Sequence, residues 1–158
     1  MIPKETSVAM CDFPDVRSAA NVVFDVIHSG IQIGAIEILD EVMMKCVNQA
    51  YPKQKLAERP TLYFKFSGHS KQQVESDIKQ VGEIARKYRA GKFRFAKSEA
   101  EKAELWEGRK VRNQPDLFPN DGLLIRTTSL DMFMVCCSYA ARKGYLDYRC
   151  GGARIEAG

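Results

Sequence analysis

Apolar residues over the first 110 positions recur at two periods, and the switching between those periods lays out a series of elements. "SVAMCDF" (7–13) alternates and runs into Pro14 and Asp15, the pattern of a strand ending at a helix-start signal. In "VRSAANVVFDVIHSG", Val16, Ala19, Ala20, Val23 and Ile27 share one helical face, and Gly30 supplies the stop. "IGAIEILD" (33–40) returns to a period of two, with Ile36 and Ile38 on one side and Glu37 on the other. Asp40 is then the N-cap of "EVMMKCVNQA". After the polar loop "QAYPKQKLAERP", "TLYFKFSG" (61–68) alternates Leu62, Phe64 and Phe66 with Tyr63 and Lys65, which predicts one buried face and one partly wet face. Ser70 caps a long helix with a stripe of Val74, Ile78, Val81, Ile84 and Ala85 and an end at Gly91. "KFRFA" (92–96) predicts a short strand, and Ser98 opens a last helix, "EAEKAELWEGRK".

Strand, helix, strand, short helix, strand, helix, strand, helix is the order of an α+β fold. It predicts a ferredoxin-like antiparallel sheet of the split βαβ kind with helices on one face. After Lys110 the pattern fails: "NQPDLFPNDG" is rich in breakers, and the remainder is apolar without a persistent period. The expected organisation is therefore a domain over 1–110 and an irregular C-terminal tail without recognisable fold over 111–158.

Composition narrows the classes. A length of 158 residues with 45% hydrophobic and 28% charged residues suits one domain with a real core. The apolar runs are too short for a transmembrane helix, and "MIPKETSVAM" has neither a secretory core nor an Arg-rich presequence, so no targeting segment is expected in this chain. The net charge of +4 is carried in mixed stretches such as "KSEAEKAELWEGRK", which read as solvated surface and predict no nucleic-acid partner. Five cysteines form no CxxC pair, and the odd count points to reduced thiols. His28 and His69 lack ligand spacing, so no metal site is expected. Trp106, the sole Trp, reads as an anchor of the last helix, Met43 and Met44 as helix residues with one in the core, and Glu37 and Asp40 as a face residue and a cap without catalytic roles.

The blocks "SVAMCDFPDVRSAANVVFDVIHSGIQIGAIEILDEVMMK", "PTLYFKFSGHS" and "KSEAEKAELWEGRK" resemble successive parts of the cap domain of FAD-dependent D-lactate dehydrogenases, the mitochondrial cytochrome-linked kind. Glycolate oxidase subunits and D-2-hydroxyglutarate dehydrogenases are the nearest families to confuse with them. The resemblance implies part of an enzyme that oxidises a D-2-hydroxy acid, typically D-lactate to pyruvate, through FAD, with cytochrome c as acceptor and a mitochondrial location. It also implies that the FAD is held by a domain without counterpart in this chain. A divalent metal near the substrate hydroxyl is implied too, its HxGDGNxH-like ligands having no match here, and the chain alone is expected to be inactive. Arg109 occupies the position of the family's substrate-binding Arg, whose guanidinium can grip a carboxylate with two parallel hydrogen bonds. On composition alone, Arg109 is a solvated residue at a charged helix end.

The genetic code offers a reading of the tail. One nucleotide later, "YLDYRC" can become TWTTDV and "ARIEA" can become PVSKL, similar to the family's next block. Lys110, Val111 and Arg112 can be encoded with an intron-donor-like sequence. The expectation is that roughly 111–137 translate a retained intron and that the rest is exon out of frame. The competing function is a stand-alone ferredoxin-like module, non-catalytic, that binds a ligand or forms a subunit interface.

Overall fold

Pro14 cannot continue a strand ladder because it has no N–H to give. Asp15 follows with extended backbone angles and turns the chain into a helix by accepting the Ser18 N–H at 2.7 Å. Junctions of this kind recur in the computed structural model, which describes residues 5–107 and the backbone of 124–127. The elements are β1 (Glu5–Asp12), α1 (Val16–His28), β2 (Ile33–Leu39), α2 (Glu41–Ala50), β3 (Thr61–Gly68), α3 (Lys71–Lys87), β4 (Arg94–Phe95), α4 (Glu99–Glu107) and β5 (Leu124–Thr127). Asp40 accepts the Met43 N–H at 2.9 Å and Ser70 the Gln73 N–H at 3.2 Å, the two caps expected for α2 and α3.

β3 lies at the centre of the sheet. It pairs antiparallel with β1 from Glu5↔Gly68 to Asp12↔Thr61, and with β2 from Ile33↔Phe66 to Leu39↔Thr61. The strand order is β4-β1-β3-β2-β5. β1 and β2 therefore run parallel with β3 between them, joined through α1; β3 and β4 run parallel with β1 between them, joined through α3. Such crossovers share one hand, which places α1 and α3 on the same face. β5 pairs with β2 from Ile36↔Thr127 to Leu39↔Leu124, and it falls inside 111–158, the stretch expected to be irregular.

Between the sheet and α1 and α3 lies the larger core, with Ala9, Cys11 and Phe13, Ile36 and Ile38, Leu62, Phe64 and Phe66 facing Val16, Ala19, Val22, Val23 and Val26 of α1 and Val74, Val81, Ile84 and Ala85 of α3. The expectation of helices on one face describes this side and is incomplete for the other. Met43, Met44 and Val47 of α2 and Leu105 of α4 pack with Val8, Met10, Leu39, Leu56 and Tyr63 on the opposite face. The physical reason is that β1 and β3 carry apolar residues at both parities, as strands covered on both sides do.

Three details shift from the sequence pattern. The inner stripe of α1 runs through Val22 and Val26, with Ala20 and Ile27 only half-buried. α3 ends at Lys87, four residues before Gly91, and the left-handed step after it is taken by Arg89 at φ 59°. Gly91 instead docks on the end of β1: its N–H donates to the Asp12 carbonyl at 2.8 Å and its carbonyl receives the Cys11 thiol at 3.3 Å. The strand expected over 92–96 shortens to two residues, because β1 offers β4 partners only at Ala9 and Met10.

Candidate functional site

Antiparallel partners share a face, so the register arranges the second face of the sheet in rows. Arg94, Met10, Tyr63 and Glu37 form one row across β4, β1, β3 and β2, and backbone register sets Arg126 of β5 next to Glu37. Val8, Lys65 and Ala35 form the next row. This face thus gathers a carboxylate, a phenol and an ammonium among small apolar neighbours. Glu37 and Tyr63 are each 1% exposed, and Lys65 is half-buried. Burial pushes the Tyr63 phenol above its ordinary range, the nearby Arg94 charge drawing it back in part, so the hydroxyl keeps its proton at neutral pH.

α4 crosses this face. Its first turn is held by a capping pattern in which Ser98 Oγ accepts the Glu101 N–H at 3.1 Å and Glu101 accepts the Lys97 N–H at 2.9 Å. Lys102 Nζ donates to the Thr6 carbonyl at 2.8 Å and to Glu99 at 2.6 Å, tying the helix to β1. Leu105 enters the core at 2% exposure, and the Lys65 ammonium sits 5.6 Å from the centre of the Trp106 ring, within cation–π range. Leu105 is the deeper anchor; Trp106, expected in that role, is half-buried and covers Lys65. Arg109, the expected substrate ligand, lies outside the described residues, two positions after the end of α4.

Other conspicuous residues have ordinary surroundings. His28 stacks on Phe24 with ring centres 3.8 Å apart, and its Nδ1 lies 2.9 Å from the Phe24 carbonyl. His69 is exposed in the turn after β3. The Cys11 thiol is pushed up to about 12 by burial, with Asp12 adding to the effect, and Cys46 is raised by burial and by Asp40, so neither is a ready nucleophile. Among the described residues, no three His, Cys, Asp or Glu side chains gather in a way that could hold a metal ion, and no helix is long and apolar enough to cross a membrane.

An open groove of about 530 Å³ lies where β1 meets α1, lined by Pro14, Asp15, Val16, Arg17, Glu41, Glu58, Arg59 and Pro60. Arg59 is 3.9 Å from Asp12, so part of its charge is already answered. Three carboxylates against two guanidiniums make poor surroundings for a diphosphate, and the groove does not fit a flavin dinucleotide. Sequence reasoning did not single out Lys65 or the burial of Glu37. The signal available was the apolar content of β1 at both parities, which implies a covered second face.

Comparison with known proteins gives a consistent set of likenesses. The family model "FAD linked oxidases, C-terminal domain" matches residues 2–146. The mitochondrial D-lactate dehydrogenase [cytochrome] of Kluyveromyces lactis is 46% identical over 107 residues, covering 66% of this chain and 19% of that protein. D-lactate dehydrogenase [cytochrome] 1 of Saccharomyces cerevisiae is 38% identical over 111 residues, with 69% and 19% covered. Glycolate oxidase subunit GlcD of Escherichia coli is 29% identical over 134 residues, with 78% and 26% covered. This chain thus spans about a fifth of the length of the D-lactate dehydrogenases it matches. Among solved structures, an alkyldihydroxyacetonephosphate synthase superposes with a TM-score of 0.54 at 14% identity, over 71% of this chain and 24% of its own; at that identity the likeness is one of fold.

Proposed function

Because the chain belongs to the FAD-linked oxidases, within their C-terminal domain, we propose that it is cap-domain sequence of a flavin-dependent D-2-hydroxy acid dehydrogenase. The parent reaction is oxidation of D-lactate to pyruvate, with cytochrome c as electron acceptor and a mitochondrial setting. The observation that carries this reading is the 46% identity over 107 residues to a D-lactate dehydrogenase [cytochrome].

In this reading Arg109 binds the substrate carboxylate, and the FAD is held outside the described residues, whose groove does not suit it. The divalent metal that the family resemblance implies would likewise take its ligands from elsewhere. The 158 residues by themselves should show no D-lactate-dependent reduction of cytochrome c. The test is a chimaera in which residues 5–110 replace the matching segment of the Kluyveromyces lactis enzyme. A flavin-loaded chimaera should reduce cytochrome c with D-lactate, and Arg109→Lys in it should raise KM by about 10- to 100-fold through loss of the two-pronged grip. A folded, flavin-loaded chimaera that ignores D-lactate would sink the proposal.

The boundary after Lys110 belongs to the same proposal. The alignments to two D-lactate dehydrogenases, 107 and 111 residues long, are of the length such a boundary would leave, while the family model runs on to residue 146. Transcripts that join Lys110 to a frame reading through TTDV would support the retained-intron origin of 111–137, and messages that all encode 111–158 as written would remove it.

A further inference from the structure

The net positive charge of this chain is not carried in mixed stretches, as expected, but has one source. Residues 86–97, "RKYRAGKFRFAK", hold six of its 24 basic side chains and none of its 20 acidic ones, so the remaining 146 residues carry 18 basic against 20 acidic. The fold gathers this stretch on one rim, running from the last turn of α3, through the left-handed Arg89 and the docked Gly91, along edge strand β4 to the start of α4. Arg86, Lys87, Arg89, Lys92, Arg94 and Lys97 are all exposed. Arg94 reaches Glu101 at 3.9 Å; among the described residues the other five have no carboxylate within salt-bridge distance. Arg86 and Lys87 suit the negative end of α3, which accounts for two cations of the six.

We propose that this rim docks the protein on an anionic phospholipid surface. The aromatic residues between the cations point away from other polyanion partners. Phe93 and Phe95 stack on each other at 5.9 Å and pack against the core, and the Tyr88 hydroxyl donates to Asp25 at 2.8 Å. None of the three is available as a base-stacking platform for single-stranded nucleic acid or as a protruding anchor for a protein pocket. What the rim offers is charge on long flexible stems without a recognition pocket. A fluid layer of anionic headgroups rewards that arrangement, clusters of roughly four to eight Lys and Arg being its usual binders. The proposal rests on the charge distribution and is independent of the enzymatic reading.

The test is sedimentation of the full 158-residue chain with vesicles of phosphatidylserine mixed into phosphatidylcholine, against phosphatidylcholine alone. Binding should require the serine lipid and fade with added salt. The triple variant Lys87→Glu, Arg89→Glu, Lys92→Glu should lower the apparent affinity by about tenfold or more, whereas Lys45→Glu, Lys53→Glu, Lys71→Glu, with the same change in net charge at exposed positions elsewhere, should keep most of it. Circular dichroism melts check that both variants fold, and a Lys92→Gln, Lys97→Gln pair replaces the first triple should it melt early. No sedimentation with the anionic vesicles, or equal loss in the two triples, overturns the proposal. Duplex DNA bound by a chain that ignores the vesicles overturns it as well, by assigning the rim to a different polyanion.

Discussion

Gly91 shows how one residue can be read correctly as a punctuation mark and wrongly as to its reason. Its position after a helical stripe suggested a helix stop, yet its role is proximity: a Cβ there would collide with the Asp12 carboxylate. Because the Asp12 carboxylate is the end of a partly exposed side chain and can turn aside, Gly91→Ala should destabilise the fold by only about 1 kcal/mol, measured by urea unfolding, and Asp12→Ala should remove that cost in the double variant. Asp77 is the reverse case, a polar residue within the apolar stripe of α3 whose Oδ2 is buried without a hydrogen-bond partner among the described residues. Burial raises its carboxyl pKa. Since the folded value lies above the unfolded one, the charged form costs stability at neutral pH, and that cost fades as pH falls through the raised folded value and is gone below the unfolded carboxylate value of about 3.9. Asp77→Asn should stabilise by about 1–2 kcal/mol at pH near about 7 and by little in acid; equal gains at both pH values would show that charge is not the cause. Periodicity places such a residue on the inner face, but only the structure shows that no described group answers its Oδ2.

At the scale of elements, caps were the most legible features. Asp15, Asp40, Ser70 and Ser98 each accept an N–H three residues on. A cap declares itself through one side chain and its nearest backbone neighbours, so no tertiary knowledge is needed. Strand length, in contrast, depends on the partner: β4 is short because β1 meets it at two positions, which no local pattern in "KFRFA" records. α4 was legible as a helix, while its seating was not. Among its described side chains Leu105 alone is fully buried, with Lys102 tethering the other end. Leu105→Ala should cost about 2–4 kcal/mol and loosen the helix from the sheet. Because Trp106 is the only Trp, its emission should shift to the red and become more easily quenched; an unchanged spectrum would place the anchor elsewhere.

For the whole molecule, the order of elements along the chain was enough to give the ferredoxin-like sheet, since two crossovers of fixed hand leave little choice of topology. The number of covered faces was not given by order. It followed from β1 and β3 being apolar at both parities, which turned a partly wet face into the setting of Glu37, Tyr63 and Lys65. The distribution of charge was legible only in part: 86–97 stands out along the sequence as a stretch without an acidic residue, and the fold shows that it forms a continuous rim. The central place of β3 has a further consequence during synthesis. β1 leaves the ribosome before any of its hydrogen-bonded partners, which lie about fifty to sixty residues downstream in β3 and about eighty-five downstream in β4. β2 and β3, joined through α2, can pair as soon as both have emerged. The nascent chain must therefore carry β1 as an unpaired apolar strand until the middle of the sheet has been made, and in that interval Glu5–Asp12 is the segment a holding chaperone would be expected to find.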